Sequence, residues 1–346
     1  MTVQSPGGRS DAVNSGRLEE WFKRLIPGVA APLSFERISG GRSNLTFLVG
    51  DRADGRWVLR RPPLGERLSS AHDMAREFRI ISALQNRSLP VPPVVGLCED
   101  ESVNGAPFYV TEFVDGRVLR SQDDLDLAPS LEERREIGES LVETLAALHA
   151  IEPESVGLGD LSRTGGYIER QLRRWQGQWE KSKTRDLPYL DRVHERLSRA
   201  IPVQRGVSIV HGDYRLDNVI IDADGGVAAV LDWELCTLGD PLADLGLLLV
   251  YWAPEPANLI PGFDPATRAP GFPSRNEAAD LYAAASGRDL GEIDFYVAFS
   301  LWRLAIILEG VRVRYAAGQY GEETWGEGEG EAAIARLSEV AYDALP

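Results

Sequence analysis

The chain has 346 residues, 43% of them apolar, and aspartate plus glutamate outnumber lysine plus arginine by 53 to 37, for a net charge of −16. That length suits one large domain or two lobes better than a single small core, and the acidity argues against broad contact with nucleic acid or an anionic membrane while leaving a local site open. With two cysteines, Cys98 and Cys236, and no C-x-x-C pair, neither a disulfide framework nor a thiolate metal site is expected, which fits a reducing cytoplasm.

Residues 1–15 read as a flexible polar tail without the apolar stretch of a signal peptide. The apolar run around "LGLLLVYWA" falls short of the roughly 20 residues that span a bilayer, so a soluble, cytoplasmic protein with no membrane partner is expected. From about residue 33 to 115 short strands alternate with Gly- and Pro-rich breaks: "LSFERIS", "NLTFLVG", "RWVLRRP", "VPPVVGLCE" and "APFYVTEFV". One helix interrupts them from about Ser70 to Gln85, where Met74, Phe78, Ile81 and Leu84 recur at helical spacing. A first lobe over 16–115 is expected, a small sheet with one helix.

After "VDGRVL" the character changes. Ser130 followed by Glu133 is a capping box, and Ile137, Leu141, Leu145 and Leu148 carry a long amphipathic helix to about His149. Further helices are expected near 165–183, 189–200, 241–252, 275–287, 291–317 and 331–343, making 116–346 a mostly helical second lobe. Within it lies one island of strand signal, "VSIV", "NVIID" and "VAAVLDW", with Asp224-Gly225-Gly226 as a hairpin turn. "GEGEGE" at 326–331 reads as a solvated linker.

The stretch "HGDYRLDNVIID", residues 211–222, places polar and charged groups at the mouth of that hairpin. If the hairpin closes at Asp224-Gly225-Gly226, its return strand brings Asp232 of "VLDWE" beside Asn218. Two oxygen donors suit Mg²⁺, a hard ion that keeps several waters and shares phosphate oxygens. Asp213 is then left free to accept a hydrogen bond from a hydroxyl and orient it for attack on phosphorus. Asp and Asn also favour turns, so capping is the competing reading for all three.

His211-Gly212-Asp213 followed by Asn218 keeps the spacing of the protein-kinase catalytic loop, H-R-D-x-x-x-x-N, with glycine in place of arginine. Together with "LDWELCTLGDPLADLG", the stretch "HGDYRLDN" resembles the aminoglycoside phosphotransferase family of small-molecule kinases, over about residues 35–340. "WVLRRPP", "GGYIERQLRRWQGQW" and "PGFPSRNE" are similar to the branch also found fused to acyl-CoA dehydrogenases. The resemblance implies an α+β, bilobal, protein-kinase-like fold, with a small N-terminal antiparallel sheet lobe and a larger helical lobe. It implies ATP and Mg²⁺ as cofactors and a small-molecule hydroxyl as acceptor.

Carried over position by position, "ISGGRSNLTFLV" resembles the loop joining the first two strands. There Gly40 and Gly41 would admit backbone amides close to phosphates, with Ser43 or Asn44 adding a side-chain contact. Val58 and Arg60 share one strand face, and Arg60 stands where the family more often has lysine, with Glu77 as its expected partner. In "TEFVDG" the Glu112 carbonyl and the Val114 amide would meet the adenine edge. Arg215 matches a kinase lysine position and would neutralise the transferred phosphoryl group, while Asn218 and Asp232 would hold the metal. His211 reads as orienting the loop, His149 as packed or capping, and Asp240 before Pro241 as a helix N-cap. Other enzyme motifs, G-x-x-x-x-G-K-[ST], G-x-S-x-G and H-E-x-x-H, are absent.

Between Arg163 and Arg185 seven basic residues face two glutamates, and Trp175 and Trp179 stand one helical turn apart. Either the stretch is a solvated helix with its tryptophans in the core, or it forms a surface for an anionic acceptor such as a hydroxyacyl thioester of coenzyme A. An aminoglycoside site would be lined with carboxylates instead. An antibiotic kinase and a nucleotide-binding pseudokinase are the alternatives, and the oligomeric state is left open.

Overall fold

The computed structural model describes residues 13–38, 44–63, 73–85, 87, 89–161, 166–252, 259–260, 262–316 and 329–345. The chain divides into two compact units. The first runs to Val118 and takes in Val219–Ala223 and Val227–Glu234; the second comprises Leu119–Asn218, Asp224–Gly226 and the chain from Leu235 on.

In the first unit, Asn14 caps helix α1 (Ser15–Leu25) by accepting from the Arg17 amide at 3.3 Å. Leu18, Trp21 and Phe22, at i, i+3 and i+4, form its buried face. The polar tail read over residues 1–15 lies, up to residue 12, outside the described residues, and no helix is expected here from the sequence. Its apolar signal is one short triplet, and Gly16 lies in its first turn, so periodicity alone does not disclose it.

Strands β1 (Ser34–Arg37), β2 (Leu45–Gly50) and β3 (Arg56–Arg61) precede helix α2 (Met74–Leu84). Strand β4 (Val94–Cys98), the single turn α3 (Glu101–Asn104) and β5 (Phe108–Glu112) follow. The sheet is antiparallel throughout, in the order β1-β2-β3-β5-β4. Phe47, Val49, Leu59, Phe108 and Val110 alternate onto one face and pack with Trp21 and Phe22. Trp21 meets Phe108 edge to face at 5.0 Å. Burying a side chain of the size of Phe22 contributes about 1.5–3 kcal/mol.

The chain then continues as α4 (Leu131–Ala150), α5 (Tyr167–Ser182), α6 (Pro188–Arg199) and β6 (Ser208–Val210). Next come β7 (Val219–Ile221) and β8 (Val227–Val230), an antiparallel pair in the first unit with Val219 opposite Val230. In the second unit β9 (Thr237–Gly239), a three-residue strand too short to be read from sequence, pairs with β6. Helices α7 (Leu242–Trp252), α8 (Arg275–Ser286), α9 (Ile293–Ala316) and α10 (Glu329–Asp343) complete it. Helices α7 and α9 are apolar on nearly every side, as fits helices at the centre of a core. Each nonetheless buries charge: Asp244 in α7, Arg303 and Glu309 in α9. Among the described residues no helix is long and apolar enough to cross a membrane.

Candidate active site

In the first unit, β3 turns Leu59 into the core and Val58 and Arg60 to the other face. Arg60 lies opposite Tyr109 of β5 and gathers three carboxylates. Its Nη2 is 2.5 Å from Asp232 Oδ1 and 3.6 Å from Glu234 Oε2. Its Nε stands 3.1 Å from Glu77 Oε2, an ion pair out of line for a hydrogen bond. Glu77 is 2% exposed, on the buried face of α2 where the apolar spacing suggested Phe78. Its carboxylate accepts from the Tyr109 hydroxyl at 3.0 Å and from Asn44 Nδ2 at 3.3 Å; the same Asn44 nitrogen donates to Glu234 Oε2 at 3.1 Å.

Burial works against charge on Arg60, yet Tyr109, Glu77, Asp232 and Glu234 outweigh it and raise the guanidinium above its ordinary value. Burial raises the Glu77 carboxyl as well, with Asp232 adding to the effect and Arg60 opposing it. Asp232 itself has φ +63, a left-handed conformation that costs about 1–2 kcal/mol outside glycine and is eased for aspartate by local hydrogen bonding. Trp233, fully buried and donating to the Val230 carbonyl at 3.0 Å, anchors the turn that holds it.

Beyond β5, Val114 packs with Val118, Ile220 and Ala229 in a small apolar cluster. Its amide makes no backbone hydrogen bond among the described residues. Glu112 is exposed at the strand end, with its amide on the Pro93 carbonyl. Gly116 (φ +151) lets the chain pass β7 closely, since a Cβ there would lie 2.4 Å from Ile220 Cγ2. Gly40, Gly41 and Ser43 lie outside the described residues.

In the second unit the loop after β6 is fixed by its backbone. The amides of His211 and Gly212 donate to the two oxygens of Asp244, at 2.6 and 2.8 Å. The Gly212 carbonyl accepts from Arg303 Nη2 at 2.6 Å, and Arg303 lays its guanidinium over Trp175. Gly212 has φ +86, and a Cβ on it would meet the Leu235 carbonyl oxygen at 2.8 Å. Glycine at this point of an H-R-D-like loop is therefore a steric requirement. His211, fully buried, accepts from the Asp213 amide at 3.2 Å through Nδ1, the orienting part expected of it.

Asp213 is held by Asn218, whose Nδ2 donates to its carbonyl at 2.8 Å and to its Oδ2 at 3.0 Å. That use of the amide nitrogen leaves Asn218 Oδ1 as the atom available to a cation. Arg215 Nε lies 3.5 Å from Asp213 Oδ1 and 3.1 Å from Asp217 Oδ1, with the guanidinium over the Tyr251 ring. Burial raises the Asp217 carboxyl, against the pull of Arg215.

Behind the loop, Asp244 also meets His149 Nε2 at 3.3 Å, and His149 Nδ1 meets the Tyr282 hydroxyl at 2.7 Å. Burial lowers His149, while Asp244 resists that shift. Burial pushes the Asp244 carboxyl up, but hydrogen bonds from His149 and the Gly212 amide leave it below its ordinary value. A neutral His149 that donates from Nε2 to an ionised Asp244 and accepts from Tyr282 satisfies both shifts. Asp240 accepts from the Leu242 amide at 3.1 Å, as a cap would, and from the Tyr296 hydroxyl at 2.7 Å.

The basic stretch splits between its two readings. Trp179 is fully buried and donates to Asp191, Lys183 pairs with Asp191, and Arg185 pairs with the buried Glu309. Trp175 is half-buried, and Arg173 and Arg174 are exposed; Arg163 lies outside the described residues. Asp244, Arg303, Glu234 and Tyr109 are absent from the sequence-predicted site. For the first two a signal existed: single charges inside the apolar runs "PLADLGLLLVYW" and "FYVAFSLWRLAII". Among the described residues no group of three or more His, Cys, Asp or Glu side chains is placed to hold a metal ion.

Residues 34–281 match the phosphotransferase enzyme family, APH. The chain belongs to that family. The members of that family are phosphotransferase enzymes. Acyl-CoA dehydrogenase family member 10 of Mus musculus is 36% identical over 324 residues, covering 92% of the chain and 30% of that relative. The Rattus norvegicus family member 11 is 35% identical over 88% of the chain and 40% of its own length, so the chain spans well under half of these relatives. A solved Ralstonia eutropha structure assigned to the aminoglycoside phosphotransferases is 35% identical with a TM-score of 0.80, covering 96% of this chain and 98% of that one. The kinase-like fold extends to choline kinase of Cryptosporidium parvum, at 12% identity and a TM-score of 0.63, over 96% and 95% of the two chains.

Proposed function

We propose that this phosphotransferase moves the terminal phosphoryl group of ATP, with Mg²⁺, to the hydroxyl of a small anionic metabolite, a hydroxyacyl thioester of coenzyme A being the first candidate. The observation that carries the reading is the Asp213 carboxylate: it is fixed by Asn218 and flanked by Arg215, on a loop whose backbone is clamped by Asp244. In this role Asp213 accepts the hydrogen bond of the acceptor hydroxyl and takes its proton as the new O–P bond forms and the bond to ADP breaks. Arg215 balances charge on the transferred group, and Arg60 adds positive charge for the nucleotide phosphates.

The Asp232 carboxylate in the first unit and Asn218 Oδ1 in the second are each a hard oxygen donor of the kind Mg²⁺ takes, and that ion needs one or two protein ligands together with phosphate and water. When bound, the ion supplies neutralisation of phosphate charge. The Val114 amide and the apolar cluster it packs with suit an adenine edge and face. Arg173 and Arg174, exposed beside Trp175, favour an anionic acceptor over a polycationic one. The acyl-CoA dehydrogenase names of the relatives point to the same chemistry.

Asp213→Ala tests the mechanism: turnover is expected to fall by about 10²–10⁴ with ATP binding by calorimetry unchanged. Undiminished turnover in that variant removes Asp213 from the reaction. A screen of hydroxyl-bearing metabolites with labelled ATP tests the acceptor, and label transferred to aminoglycosides alone overturns the anionic assignment.

A further inference from the structure

We infer that Glu234 is a positioning residue that receives the Arg60 guanidinium when a divalent cation takes the Asp232 carboxylate. The inference rests on Asp232 being the metal ligand proposed above.

Arg60 Nη2, 2.5 Å from Asp232 Oδ1, holds the oxygen a cation needs. A dication and a guanidinium repel each other on one carboxylate, so the guanidinium must yield. Its freedom is small. Its side chain is 15% exposed, and its Nε is tied to the buried Glu77 at 3.1 Å, so withdrawal into water breaks an ion pair with a group that cannot follow.

Among the described residues the one further carboxylate in reach is Glu234, whose Oε2 lies 3.6 Å from the same Nη2, a little beyond hydrogen-bond range. Asn44 Nδ2 donates to both Glu234 Oε2 and Glu77 Oε1, so a single amide sets the spacing of the two carboxylates that Arg60 would then bridge. The arginine fork can hold both at once, whereas a lysine ammonium is a single point of charge. Arg60 and the carboxylate two residues after Asp232 thus form one device. Metal binding hands the guanidinium from Asp232 to Glu234.

The test is Mn²⁺ titration followed by electron paramagnetic resonance at saturating ADP, with melting temperatures of the metal-free proteins as the folding control. Glu234→Gln, an isosteric change, is expected to weaken Mn²⁺ binding about tenfold, as is typical of coupled neighbours. Glu234→Ala should do the same if the glutamine variant folds poorly. In an Arg60→Met background the Glu234→Gln effect should vanish, because the residue acts through Arg60. Wild-type Mn²⁺ affinity in Glu234→Gln, or an undiminished effect in the Arg60→Met background, overturns the proposal. Asp232→Asn separates the two layers: intact Mn²⁺ binding there removes the metal reading itself, while loss of binding there with no effect at Glu234 removes the positioning role alone.

Discussion

The Arg60 centre of the first unit and the Asp213 loop of the second are both rich in charge, yet they are held in opposite ways. Around Arg60, side chain meets side chain: one guanidinium among Glu77, Asp232 and Glu234. At the loop, side chain meets backbone: Asp244 takes two adjacent amides and Arg303 donates to the carbonyl between them and Asp213. An ion pair can change partners at little cost, whereas a buried carboxylate that leaves two amides orphans both, at about 1–3 kcal/mol each. The first centre can exchange partners, and the second keeps Asp213 where it is.

The largest expected effect that tests this contrast is at Asp244. Replacing it with alanine strands two buried amides and His149, and a loss of about 3–5 kcal/mol in urea unfolding is expected. An unchanged unfolding midpoint would mean the clamp contributes nothing, and the distinction between the two centres would collapse. Gly212→Ala comes next. It forces a Cβ toward the Leu235 carbonyl at a φ of +86, for an expected loss of about 1–3 kcal/mol, again by urea unfolding. A neutral substitution there would show that the loop yields, and that the missing arginine of the H-R-D pattern is not a matter of space.

The two centres were also unequally legible in the sequence. The loop announced itself, because Asp213 and Asn218 stand five positions apart and their contact is local. Its clamp did not: Asp244 lies 32 residues from Gly212, and only folding of α7 brings them together. The Arg60–Glu77 pair was visible through strand alternation and the family resemblance, with helix periodicity pointing to Phe78 instead, while Glu234 was hidden because its partner Asn44 is 190 residues away. Most strands and most helices followed from alternation and 3.6-residue spacing, β9 excepted. Helix α1 did not, since its stability comes from packing Trp21 and Phe22 on the sheet rather than from its own sequence.

The smallest expected effect separates the centres by the sign of their pH dependence. His149 is lowered from 6.5 by burial, so the unfolded chain binds a proton at that position before the folded one does. Its contribution to stability is full above about pH 6.5 and is lost as pH falls toward the folded value, with a slope of at most about 1.4 kcal/mol per pH unit. His194, lowered by burial beside Trp302, acts in the same direction. Glu77 acts in the other: raised from 4.5 by burial, it contributes fully below that value and loses its contribution as pH rises through the folded one. In a His149→Gln, His194→Gln double variant, the melting temperature should therefore fall less steeply than in wild type between about pH 6.5 and 5. A wild-type slope in the double variant would place the acid-sensitive group elsewhere, and the neutral His149 that supports the Asp244 clamp would lose its standing.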